Sequence, residues 1–155
     1  MELAKNLMID SVSRLPLGAP RYVAPHQSVA EAVALMRQER VGCLLVCQDE
    51  QVAGIFTERD LLRRVMAKGQ PLTINVSECM TPSPVVVHPK ESVASAIRKM
   101  SEGGYRHLPV VDEAGKAIGI LSARRIMHYL VEHFPATVYN LPPDPKVVPQ
   151  SPEGA

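Results

Sequence analysis

The sequence has no tryptophan, only two phenylalanines and four tyrosines, so aromatics make up 4% of its 155 residues. Any core must be built from Val, Leu, Ile, Ala and Met, and a hydrophobic fraction of 46% is enough to build one. Long apolar runs are missing as well. None approaches the ~20 residues needed to cross a bilayer. Charge of one sign is also missing: 17 Lys and Arg stand against 16 Asp and Glu, a formal net charge of +1. That balance gives no reason to expect a nucleic-acid or membrane partner. Glu2, Lys5 and Asp10 interrupt the apolar residues of the N-terminus, which therefore does not read as a signal peptide; a cytoplasmic location is the expectation.

Metal and redox chemistry lack support in the sequence. Cys43, Cys47 and Cys79 are odd in number and match no zinc or redox spacing. Cys43 and Cys47 fall within the apolar run from Val41 to Cys47, where a free cysteine behaves as a small hydrophobe. The five histidines form no H-x-x-H or H-E-x-x-H pair. With no P-loop string and no nucleophile–base pair, neither a cofactor nor an enzymatic function is expected.

What the chain does have is a repeat. A shift of 64 positions brings Val12-Ser13 onto Val76-Ser77, Pro20 onto Pro84, Val23 onto Val87 and Ser28-Val29-Ala30 onto Ser92-Val93-Ala94. Leu44 and Val46 land on Leu108 and Val110. One extra residue in the turn 112–116 changes the shift to 65, and Gly54-Ile55 then matches Gly119-Ile120, Thr57 matches Ser122 and Arg59 matches Arg124. Each copy opens with a short extended stretch ended by a proline. A helix follows, opened in the first copy by a capping box of Ser28 and Glu31, with one apolar stripe in each copy (Val29, Ala32, Val33, Met36; Val93, Ala96, Ile97, Met100). Two strands come next, 42–47 and 52–56 in the first copy and 107–111 and 117–121 in the second. A closing helix carries Leu61, Leu62, Val65 and Met66, or Ile126, Met127, Leu130 and Val131, and Gly69 suits the C-terminal cap of the first. The expected fold is α/β (α+β): two tandem β-α-β-β-α repeats packed with pseudo-twofold symmetry, because neither copy is large enough to bury its apolar faces alone. By sequence the first repeat and its N-terminal segment occupy 1–70, and the second occupies 71–134. A tail at 135–155 holds six of the 14 prolines, which exclude regular helix or central strand there. An extended stretch at 138–141 is expected to dock on the body or on a partner.

The strings V-x-G-I-F-T-E-R-D-L-L and R-H-L-P-V-V-D…I-G-I-L-S, with V-S-E-C-M-T-P between the repeats and S-V-A-E-A-V-A-L-M in the first, resemble tandem CBS domains, the Bateman module, over about residues 10–134. The resemblance implies a regulatory module rather than an enzyme. It also implies a cleft between the repeats for an adenosyl ligand (AMP, ADP, ATP or S-adenosylmethionine), a homodimer paired through helices, and an effector protein that the sequence does not name.

The family motif G-h-x-[TS]-x-x-D is intact in the first copy, as Gly54 through Asp60. Thr57 ends a strand and opens a helix, so its hydroxyl and the free N–H groups suit a phosphate. Asp60, acceptor-only when ionised, suits a ribose diol. The same pair is a good helix cap, and the two roles are compatible. In the second copy Ser122 keeps the hydroxyl, but Arg125 replaces the acid and cannot accept from a diol. The second cleft is therefore expected to be degenerate, either empty or suited to an anion. By the resemblance, Arg106 and His107 reach across to ligand phosphates; their plain reading is a solvated arginine and a histidine bonded to a carbonyl. Tyr22 is placed to stack on adenine or simply to pack. Gly42 and Cys43, the equivalents of Arg106 and His107, leave room for a base near the first site. The pair Arg63-Arg64 reads as a solvated helix face.

Overall fold

The computed structural model describes residues 2–133; the proline-rich segment 135–155 and its proposed docking stretch at 138–141 lie outside the described residues. Element order is α1 (Glu2–Ile9), a 3-10 turn (Val12–Arg14), β1 (Tyr22–Val23), α2 (Val29–Glu39), β2 (Cys43–Gln48) and β3 (Gln51–Thr57). A short α3 (Glu58–Asp60) runs on as a π-helix (Leu61–Met66) and is followed by a second 3-10 turn (Val76–Glu78) and β4 (Thr81–Pro82). The second half carries α4 (Val93–Gly103), β5 (His107–Val111), β6 (Ala117–Ser122) and α5 (Ala123–His133). No helix among these is long and apolar enough to cross a membrane.

Local chemistry accounts for the elements. Ser28 and Glu31 form a reciprocal capping box at the start of α2, and Ser92 Oγ accepts from the Ser95 N–H at the start of α4. Val29, Ala32 and Met36 are buried on one face of α2, as Val93, Ala96 and Met100 are on α4. Gly69 takes φ +63° after the π-helix, while its own N–H and that of Gln70 satisfy the Met66 and Val65 carbonyls. The apolar run of β2 is continuous because both of its faces are covered. Leu44 and Val46 face the α2 core, whereas Cys43, Leu45 and Cys47 meet Ile55 and Ile120 between the two sheets.

The two halves exchange their connecting segments. Val12 N–H bonds the Glu91 carbonyl and Val76 N–H bonds the Gln27 carbonyl, both at 2.8 Å. Val93 N–H bonds Asp10 and Val29 N–H bonds Ile74, both at 2.9 Å. All four contacts interconvert under the 64-residue shift, which is the pseudo-twofold relation in atomic terms. Val12 and Leu15 consequently lie in the core of the second repeat, and Val76 and Cys79 in that of the first. The division at residue 70 follows the sequence repeat, whereas packing sends the N-terminal segment of 1–70 to the second core. The reason is that β4 closes the edge of β3 (Gly54 opposite Pro82), while Gly18 closes the edge of β6 opposite Ile120. The glycine of the family motif follows from this. A Cβ on Gly54 would strike the Met80 side chain and sit 3.0 Å from the Thr81 carbonyl, and one on Gly119 would sit 3.1–3.3 Å from Leu17 and the Gly18 carbonyl.

Candidate functional site

Two clefts open between the repeats, related by the same pseudosymmetry. The first, about 490 Å³, is lined by Thr57, Asp60, Arg64, Arg106 and His107 among others, with the strap 81–85 from the linker as one wall. The second, about 690 Å³, is lined by Ser122, Arg125, Arg124, Arg40, Cys43 and the N-terminal strap around Gly18. Gly42 and His107 line both.

In the first cleft the Thr57–Asp60 pair forms a reciprocal cap. Thr57 donates to Asp60 Oδ2 from its N–H at 3.0 Å and from its hydroxyl at 3.1 Å, and Thr57 Oγ1 accepts from the Asp60 N–H at 3.3 Å. Such a cap stabilises a helix start by about 0.5–2 kcal/mol. Asp60 is 7% exposed, and its second oxygen, Oδ1, faces Arg64 Nε at 3.4 Å. Arg64 Nη1 donates to the Met80 carbonyl at 2.6 Å. Arg64 is thus not a merely solvated residue; it ties the motif acid to the strap. The i,i+4 spacing of Asp60 and Arg64 was the available signal.

Arg106 is exposed at the cleft mouth, and its carbonyl accepts from the Ala123 N–H. His107, half-buried, has its imidazole pKa pushed below the usual range by burial and by the Arg106 charge, with Glu58 opposing. Gly42 matters for Glu58: a Cβ there would lie 3.2–3.4 Å from the Glu58 carboxylate. Two residues fall elsewhere than expected. Tyr22 lines neither cleft and is 60% exposed, because strand alternation turns Val23 inward and Tyr22 out. The ring that does line the first cleft is Tyr105, lying against Gly103 where only a glycine leaves room. Cys43 lines the second cleft, not the first, since its side chain points between the sheets.

In the second cleft the Arg125 N–H bonds Ser122 Oγ at 3.1 Å, so the hydroxyl cap survives. The Arg125 guanidinium does not stand free for an anion. It lies over Gly18 and donates from Nη1 to the Pro16 carbonyl at 2.8 Å. Arg21, on the same wall, pairs with Glu39 at 2.8 Å. No group of three or more His, Cys, Asp or Glu converges as a metal site among the described residues.

Relatives agree with this architecture. A fission yeast (Schizosaccharomyces pombe) protein, meiotically up-regulated gene 70 protein, is 38% identical over 104 residues, which is 66% of this chain but only 14% of that protein. The crystal structure of an uncharacterized conserved protein from Pyrococcus horikoshii superposes with a TM-score of 0.73 at 31% identity, covering 79% of this chain and 92% of that one. The crystal structure of CBSX2 in complex with AMP gives a TM-score of 0.65 at 30% identity, covering 79% and 96%. The sequence profile of the CBS domain matches residues 5–67 and 76–132, so this chain belongs to the CBS domain family and carries two of its repeats in tandem.

Proposed function

We propose that the chain is a non-catalytic regulatory module that binds an adenosyl ligand, of the AMP, ADP, ATP or S-adenosylmethionine class, in the first cleft. The observation that carries this reading is Asp60: a buried carboxylate lining the cleft, held through Oδ2 by Thr57, with Oδ1 beside Arg64. An acceptor fixed in this way suits a ribose diol. Arg106 and His107 stand across the same space for phosphate, and Tyr105 offers a ring face for the base. A volume of about 490 Å³ falls within the 300–1,000 Å³ usual for small-molecule clefts. CBSX2, of the same fold, was solved with AMP, which supports the ligand class. Calorimetry on wild type and Asp60→Ala tests the reading: loss of one charged hydrogen bond, about 1.5–3 kcal/mol, weakens binding about 10- to 100-fold. Equal affinities would move the ligand elsewhere.

The module acts as a homodimer on an effector protein in this reading. Leu62 and Met66 are 63% and 61% exposed on the π-helix, and Met127 is 56% exposed on α5, so apolar helix faces remain for a second copy. Light scattering at twice the 16.9 kDa chain mass is expected. One observation favours a second reading, a structural dimer with vestigial clefts: Asp60 is already satisfied internally by Thr57 and Arg64. A thermal-shift panel silent to every adenosyl ligand would select that reading.

A further inference from the structure

Both straps are tied to the helix across the cleft by an arginine on a backbone carbonyl. Arg64 holds Met80 at 2.6 Å and Arg125 holds Pro16 at 2.8 Å, and the two carbonyls are related by the 64-residue shift. The arginines are not related by it. Arg125 stands at the position of Asp60, and the counterpart of Arg64 is Tyr129, which bonds Asp10 instead. A tie to the strap is therefore common to both copies. Pairing that same arginine with a cleft carboxylate occurs only in the first. The first copy also carries its arginine on a π-turn, Leu61–Met66, where α5 is regular α-helix; such turns recur at functional sites.

Resting on the adenosyl reading of the first cleft, we propose that Arg64 is its positioning residue. With Nε paired to Asp60 Oδ1 at 3.4 Å and Nη1 bonded to the Met80 carbonyl, it holds Oδ1 in place for the 2′-hydroxyl of a ribose and so sets the preference for ribosyl over 2′-deoxyribosyl ligands. The capping box consumes Oδ2, which leaves the ribose hydroxyl only Oδ1. Each carboxylate oxygen has two lone pairs, so Oδ1 can keep Arg64 and accept a hydroxyl. The planar fork of arginine reaches two acceptors at once; the single ammonium of lysine cannot duplicate that geometry.

The test is calorimetric titration of the full chain with AMP and with 2′-deoxy-AMP, for wild type, Arg64→Gln and Arg64→Lys. Wild type should prefer AMP by about 10-fold or more, the loss expected for one charge-assisted hydrogen bond. Arg64→Gln should bring the ratio to within about 3-fold of unity, and Arg64→Lys should fall between. Thermal melting identifies any variant that does not fold, and the lysine variant, which keeps the charge, then decides. Both ligands weakening by the same factor, with the ratio kept, would overturn the assignment of Arg64 while leaving the cleft reading intact. Absence of AMP binding by wild type would overturn the cleft reading, and this assignment with it.

Discussion

Arg125 donates to the carbonyl of Pro16, 109 residues earlier in the chain, from the position that Asp60 holds in the other repeat. The second cleft thus carries an arginine bonded to its own strap where the first presents an acceptor. One nucleoside ligand per chain is the expected stoichiometry. Arg125→Asp on its own should leave it at one, because Tyr129 and not an arginine lies one turn further along α5. The variant also loses its tie to the strap. A titration showing two sites per chain in this variant would establish that the acid alone is sufficient.

His107 gives the fold an acid-sensitive term. Burial and the neighbouring Arg106 hold its imidazole below the ordinary 6.5, against the pull of Glu58. The unfolded chain therefore takes up this proton first, and stability rises with pH across that interval. The contribution is complete above about pH 6.5 and is lost as pH falls toward the folded value. Urea unfolding of wild type and His107→Gln from pH 5 to 7.5 checks this, and the variant should show a shallower slope.

Gly54 is expected to tolerate no side chain. Met80 and the Thr81 carbonyl occupy the space a methyl would take, and backbone cannot swing aside as a long side chain can. Gly54→Ala should cost about 1–3 kcal/mol as overpacking. Denaturant unfolding with an unchanged m-value would locate the loss in the native state.

The three cysteines should be inert in the native protein. All are buried, and burial raises each thiol, Cys43 to about 12 with the Asp60 charge adding. Thiolate is the reactive form, so a thiol reagent at pH 8 should label none of them before denaturant is added and all three afterward. Labelling of Cys43 alone under native conditions would mean that the second cleft opens.

The sequence repeat made most of this legible. Ser28 with Glu31, the stripe of α2 and both hairpins follow from periodicity and capping, which are local properties. Thr57, Asp60, Arg106 and His107, all singled out in the sequence, line one cleft. What stayed hidden depended on contacts distant in sequence. Arg64 looks solvated until Met80 is brought beside it, and Tyr22 and Tyr105 are indistinguishable as cleft aromatics without knowing which face each strand or loop presents. The exchange of connecting segments was equally invisible, since Val12 and Val76 fit either core by composition.

That exchange crosses the lines of force through the molecule. Tension applied ahead of Val12 is delivered to the second repeat through the Glu91 and Ile120 contacts. Tension on the linker is delivered to the first through Gln27 and Gly54. Each strap is also a wall of a cleft, so a small displacement of a cleft wall is a displacement of the opposite core's anchor. The two halves behave as linked arms: neither can be loosened, cut away or shifted without moving the hold on the other.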